Sequence, residues 1–423
     1  MGVRVHNRIY TPLVVMWLLV VQRLQGGAPL RAAVLELLRG LPAEFWPRPC
    51  KRVREWQEQG KALSSHPGAY HQARQALPLS VVEQSCDRIF QELTARLTAP
   101  GSEDQSAGVF VLDGSSMRLA HTPALIERFP AGSNQQGEGH WPVLRVLVAH
   151  ELRSGLAMRP EWGPMYGPDA VSEQQLLERA IGRLPVGSSV IGDANFGVFS
   201  VAYAATKEGH PALLRLTRQR AQRLAGNALT NGTDQVVLWK PSREDRKNHP
   251  QLPPDACIEG RLIVRQVQPN NRDKPFLLAL FTTLPISVEE LLNLYGQRWK
   301  IETDLRSLKS ELALDQLTCS SPDMAAKEIE MSIAAYNLVR AVICLAAEQS
   351  GLTPRDYGFT QVRRVVQVFA PKLTAAVTPA EAKRLFDQMM HYIQQARLPR
   401  RRKRTPYPRV VWRRRPKFPS RSR

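Results

Sequence analysis

Four side chains late in the chain carry the clearest chemical signal. Tyr295, Arg298, Glu302 and Lys309 stand at offsets of 0, 3, 7 and 14 residues. An α-helix turns by about 100° per residue, so these offsets gather all four within about 60° of one another, on one stripe. A carboxylate flanked along its own face by two cations and a phenol can hold a metal ion with a phosphate beside it. Arg298 and Glu302 alone would make an i,i+4 surface contact worth roughly 0.2–0.5 kcal/mol.

Two aspartates upstream give the stripe its context. Gly-Val-Phe-Val-Leu-Asp113 and Ser-Ser-Val-Ile-Gly-Asp193 each read as a short apolar strand ended by an aspartate. A lone strand-end aspartate is more often a turn former or helix cap. A pair on neighbouring buried strands converges, and like charges that close repel unless a cation neutralises them. Mg²⁺ suits such a pair, because it is a hard ion that binds through one or two carboxylates plus substrate phosphate. Two such ions about 4 Å apart activate a hydroxyl on one side of a phosphate and stabilise the leaving oxygen on the other. Asp113, Asp193 and Glu302 are therefore the expected metal ligands and catalytic acids, with two Mg²⁺ ions and Mn²⁺ as a substitute.

These residues need a scaffold, and the pattern along the chain supplies one. Residues 1–100 read as helical, with dense apolar positions at Leu13–Leu24 and Ala32–Leu38. Val81–Leu97 has apolar residues at helical spacing behind a capping box of Ser80 and Glu83. The stretch Trp56–His71 carries no motif. Strands follow at 108–113, 142–150 and 157–162, then a helix capped by Ser172, a strand at 188–193 and a helix at 198–207. Three strands, helix, strand, helix is the order of a ribonuclease-H-like core. Strands at 213–217, 235–240, 260–268 and 276–283, parted by polar stretches 218–234 and 241–256, read as a β-rich insertion. Ser287 caps a long helix running to about Leu312, with Glu289 and Glu290 in its first turn. Ala325–Glu348 is a second long helix, apolar enough for a core. The expected fold is thus α/β: a ribonuclease-H-like mixed sheet with flanking helices, a β-rich insertion, and helical N- and C-terminal regions. The boundaries fall at 1–100 (helical, DNA-binding), 101–208 (first part of the core), 209–285 (insertion), 286–350 (second part, with the glutamate helix), 351–396 (helical) and 397–423 (basic tail).

The charge balance points to a polyanion. The 423 residues carry 58 Lys+Arg against 38 Asp+Glu, a net charge of +20, and such a balance most often meets nucleic acid. From Arg400 to Arg423 every charged residue is basic, and prolines at 406, 408, 416 and 419 forbid a regular helix. This reads as a disordered tail that neutralises phosphates. Five scattered cysteines without a C-x-x-C pair disfavour zinc fingers and disulfide frameworks and point to a reducing, cytoplasmic setting. The apolar run Leu13–Val21 is too short to span a bilayer and lacks a small-residue cleavage site; no membrane association is expected. His140 and His150 flank the second strand, where structural roles are expected. Ser115 is placed to orient Asp113 or to satisfy a turn.

On Tyr295, Arg298, Glu302 and Lys309 the chain resembles the DDE transposases of bacterial insertion sequences, in the group marked by a Y-x2-R-x3-E-x6-K signature, the insertion sequence four type. Asp113-Gly114-Ser115 is similar to that family's first aspartate motif, and Gly192-Asp193-Ala-Asn-Phe196-Gly to its second. The likeness extends from about residue 10 to the basic C-terminus. It implies binding of double-stranded DNA at the terminal inverted repeats and Mg²⁺-dependent nicking. Attack by the freed 3′-hydroxyl would make a hairpin, and the end would then be joined to target DNA. It implies a homodimer in a synaptic complex and a bacterial, nucleoid-associated location. Tyr295, Arg298 and Lys309 would grip phosphates, with Arg306 of the same helix also on DNA. Trp299 would stack on a flipped base and Trp239, on an insertion strand, would act as a second wedge; core packing is the alternative for both. The rival readings are a catalytically inactive or domesticated DNA-binding protein, and a DNA nuclease without strand transfer.

Overall fold

The computed structural model describes residues 8–97, 108–134, 137–268, 275–315, 317 and 319–399. The arginine- and lysine-rich run 400–423 lies outside the described residues. Eight strands form one mixed sheet: β1 (Val109–Arg118), β2 (Val143–Glu151), β3 (Glu161–Pro164), β4 (Ser189–Gly192), β5 (Ala212–Arg215), β6 (Asp234–Trp239), β7 (Ile258–Val267) and β8 (Phe276–Thr282). Their order is β3-β2-β1-β4-β5-β8-β7-β6. β1, β4 and β5 run parallel, and every other neighbouring pair is antiparallel.

Ala212–Arg215, grouped above with the insertion, lies parallel to β4 and is hydrogen-bonded on its other side to β8. The strands β6 to β8 therefore extend the same sheet instead of folding as a separate body. The polar stretches 218–234 and 241–256 contain two short helices, α9 and α10 in the numbering below. Each is started by a side-chain cap, Thr217 and Ser242 respectively. The third strand sits at Glu161–Pro164, later than 157–162, because Ala157 makes only an isolated bridge to His150.

The helices cover both faces. Before the sheet come α1 (Pro12–Leu24), α2 (Leu30–Leu38), α3 (Lys51–Gln59), α4 (Gly68–Ala76) and α5 (Leu79–Leu97). Within and after it come α6 (Pro123–Arg128), α7 (Glu173–Ile181), α8 (Phe199–Lys207), α9 (Arg218–Ala225), α10 (Arg243–Asn248), α11 (Val288–Gly296), α12 (Lys300–Arg306), α13 (Pro322–Ser350), α14 (Phe359–Thr374) and α15 (Pro379–Gln394). Two of these add bounds within the region 1–100 read as helical. Residues 51–59 and 68–76 are helical, although their apolar faces are narrow: α3 buries only Val53, and α4 buries Tyr70 and Arg74. Helix α5 starts at Leu79 behind Pro78, so Ser80 lies inside it and does not cap it.

Strand alternation divides the core in two. Val109 and Val111 face one apolar cluster, shared with α1, α5, α11, α12 and α13; Phe110 and Leu112 face the other, shared with α7, α8 and the insertion strands. Helix α13 is long and apolar enough to cross a membrane, but 89% of that window is buried inside the protein, as befits a core helix. Its Glu328 receives Arg23 of α1 at 3.3 Å and Arg74 of α4 at 3.1 Å. The N-terminal helices are thereby tied to the centre of the molecule through a buried ionic node. The five cysteines are all free.

Candidate active site

The two aspartates meet because their strands are parallel and in step. Val109 pairs with Ser189, Phe110 with Val190 and Val111 with Ile191. The same offset continued by two residues sets Asp113 beside Asp193. Both have the parity of Val111 and Ile191, so they face the layer that holds α11, α12 and α13. Asp113 does not end its strand as expected. β1 continues to Arg118 along its border with β2, and only its border with β4 stops near the aspartate. Backbone amides fix both side chains: Gly114 N donates to Asp113 Oδ1 at 2.9 Å, and Asn195 N to Asp193 Oδ1 at 2.8 Å. Burial pushes the Asp113 carboxyl up to about 6. The Gly114 amide and Arg298 oppose that shift, while Asp193 and Glu173 add to it. Such a carboxylate is held in its charged form only with difficulty until a cation arrives.

The stripe of four comes from an interrupted helix. Ser287 caps α11 with a capping box closed by Glu290. At Gly296 the α-helix tightens into a 3₁₀ turn over Gln297–Trp299, resumes as α12, and widens into a π-type turn over Ser307–Glu311. Glycine, among the poorest helix formers, stands at the first change, and Lys309 lies within the π turn, a deviation often found at functional sites. Tyr295 is buried. Its phenol is pushed up by burial, opposed by the nearby cations Arg298 and Arg215, with Asp193 also within electrostatic reach. Arg298 is mostly covered, lies 3.8 Å from Glu302, and places its guanidinium carbon 5.3 Å from the centroid of the Trp299 ring. Lys309 Nζ donates to Ser115 Oγ at 3.0 Å, which binds the stripe to the strand bearing Asp113.

Not every expected site residue joins this centre. Glu302 is 44% exposed and faces Arg298. Among the described residues no three Asp, Glu, His or Cys side chains surround a point that could hold a metal ion. Arg306 is exposed at the end of α12. Trp299 is 65% exposed, free to stack. Trp239 is half-buried, edge-on to Phe281 at 4.8 Å and to Phe199 at 6.0 Å, so its ring is engaged in core packing. His150 is fully buried, and burial lowers its pKa to about 4 against the pull of Asp304. Asp304 itself takes both its hydrogen bonds from Arg355 at 2.8 Å.

Three polar neighbours escaped the sequence reading. Glu173 and Gln174, in the first turn of α7, grip Asn195, and Arg215 at the end of β5 stands near Tyr295. Glu173 follows the visible cap Ser172, but nothing in a helix start announces contact with a residue 22 positions on. The donor set fits a divalent cation. Two hard carboxylate oxygens stand level on adjacent strands, one of them pushed towards protonation by burial and then by Asp193, and a double positive charge would oppose that push.

Comparison with known proteins identifies the family. The model of the transposase DDE domain family matches residues 104–338, from just before β1 to the middle of α13. The transposase InsG for insertion sequence element IS4 of Escherichia coli (strain K12) is 27% identical over 364 residues, which cover 84% of this chain and 78% of that protein. The family match spans both aspartate turns and the whole interrupted helix, more than half of the sequence; the chain therefore belongs to the DDE transposases.

Proposed function

We propose that this transposase binds the terminal inverted repeats of its insertion sequence, cuts them, and joins the freed 3′ ends to target DNA, with Asp113, Asp193 and Glu302 as its catalytic acids. The observation that carries the reading is the register that sets Asp113 beside Asp193, with Arg298 acting on Asp113 and Lys309 held on Ser115. The strand order β3-β2-β1-β4-β5 with β2 reversed supports a ribonuclease-H-like core. In this reading the helical region 1–100 contributes DNA binding, 209–285 is the insertion, and two copies pair in a synaptic complex. Residues 351–396 are a helical appendix, and the run 397–423 adds charge.

Divalent magnesium, when bound by these acids, would lower the pKa of the attacking hydroxyl and neutralise the leaving oxygen. The chain's own groups do the rest. Arg298, Lys309 and the Tyr295 phenol hold the phosphate, and the two cations stabilise the charge that develops on it. Arg298 exchanges Glu302 for phosphate, which releases the glutamate towards the aspartates. Hydrolysis cleaves the P–O3′ bond at the transposon end and leaves a 3′-hydroxyl. That hydroxyl attacks the opposite strand and closes a hairpin, while Trp299 stacks on the displaced base. Opening of the hairpin by water restores the 3′-hydroxyl for attack on target DNA.

The test is cleavage of a supercoiled plasmid carrying the element's own inverted repeats, with Mg²⁺, by wild type and Glu302→Gln. End-specific cutting, hairpin products and joined products are expected for wild type and lost in the variant. Cutting that survives in Glu302→Gln removes the glutamate from the acids. Binding of the ends without cutting by wild type favours the inactive, DNA-binding reading, and cutting without joined products favours a nuclease.

A further inference from the structure

The three-carboxylate reading leaves out Glu173, which enters the site from the opposite side of the sheet. Gly114 has the parity of Phe110 and Leu112 and so faces the α7 layer. A Cβ placed on Gly114 would lie 2.7 Å from both Cδ and Oε1 of Glu173. The glutamate thus occupies the space that a side chain after Asp113 would fill. Its other oxygen, Oε2, accepts from Asn195 Nδ2 at 2.5 Å. Gln174 Nε2 donates to the carbonyl of Asn195 at 3.0 Å and to its Oδ1 at 3.1 Å. Both ends of the Asn195 amide are therefore engaged by consecutive residues of α7, and the backbone N–H of Asn195 is the one that holds Asp193 Oδ1.

We propose that Glu173 is a positioning residue that wedges between the two aspartate turns and, through Asn195, fixes Asp193 for metal binding; this rests on the assignment of Asp113 and Asp193 as metal ligands. Glu173 sits at the first position of α7, where the helix N-terminus favours its negative charge. Its capping box of Ser172 and Gln175 keeps that turn rigid. The wedge needs glycine at 114, which gives that position of the first aspartate motif a steric reason.

Mn²⁺ binding to the full-length protein without DNA, followed by electron paramagnetic resonance, gives a readout apart from activity. The Mg²⁺ needed for half-maximal cleavage gives the second. Glu173→Ala and Asn195→Ala should each weaken Mn²⁺ binding about 10–100-fold, the usual cost of losing a group that orients a metal ligand. The urea midpoint and binding to end DNA should stay unchanged, and the double variant should be no worse than either single one. Glu173→Gln keeps an oxygen facing Asn195 Nδ2 and should bind Mn²⁺ nearly as well as wild type. Wild-type metal affinity in Glu173→Ala overturns the proposal. So do multiplying losses in the double variant, and so does a Glu173→Gln variant as weak as Ala, which would make Glu173 a ligand instead. If Asp193→Ala binds Mn²⁺ as tightly as wild type, the metal-site reading itself falls.

Discussion

Glu330, in the first third of α13, is fully buried, and neither carboxyl oxygen accepts a hydrogen bond from a described residue. Arg159 approaches to 3.8 Å but is shared with Glu83 and Asp87. Burial raises the Glu330 carboxyl to about 8, against the attraction of Arg159. The sign of the stability effect follows directly. In the unfolded chain the group ionises near the ordinary value of 4.5, while in the folded chain it keeps its proton until about 8. Between those limits the folded state binds the extra proton, so stability falls as pH rises, and the loss is complete above about 8. At about 1.4 kcal/mol per pH unit, the window amounts to roughly 3–5 kcal/mol. Glu330→Gln has nearly the same shape and no charge. It should match wild type within about 1 kcal/mol at pH 5 and exceed it by roughly 3–5 kcal/mol at pH 8.5. Urea unfolding followed by both tryptophan fluorescence and circular dichroism measures this, with coincident transitions as the check on two-state behaviour. A stability difference that does not grow between pH 5 and 8.5 would refute the argument.

Four further outcomes follow from the structure. Trp239→Ala should cost roughly 2–4 kcal/mol in urea unfolding, because its ring fills space between Phe199 and Phe281. Trp299→Ala should change stability by less than about 0.5 kcal/mol and instead reduce hairpin product on end DNA. Glu328→Ala leaves Arg23 and Arg74 buried without their shared carboxylate and should destabilise by roughly 3–5 kcal/mol, seen as a lower urea midpoint. Lys309→Ala should flatten the dependence of log K on log salt for end DNA by about one unit, as measured by fluorescence anisotropy; an unchanged slope would place Lys309 off the phosphates.

Much of the fold was readable in local pattern. Short continuous apolar runs marked most of the strands, and caps such as Ser172 and Ser287 marked helix starts, because both depend on residues a few positions apart. The failures have physical causes too. Helices α3 and α4 lie in the region read as helical, but their bounds were not legible because they bury too few side chains to show a periodic apolar face. The extent of β1 beyond Asp113 depends on its partner β2, not on its own sequence. The break at Gly296 and the π turn at Lys309 are changes of helix type that the spacing of the four residues does not express.

For the site, the sequence alone determined the identities and spacing of Asp113, Asp193 and the Tyr295–Lys309 segment, and with them the class of chemistry, since side-chain type and helical or strand periodicity are properties of the chain itself. Only the tertiary structure decided which groups touch. It set Asp113 level with Asp193 through the β1–β4 register, brought Glu173 in from the opposite face, and paired Glu302 with Arg298 in place of the aspartates. Contacts between residues tens or hundreds of positions apart are fixed by how layers pack and strands align, and the energy of those alignments is spread over the whole core, beyond the reach of any single motif.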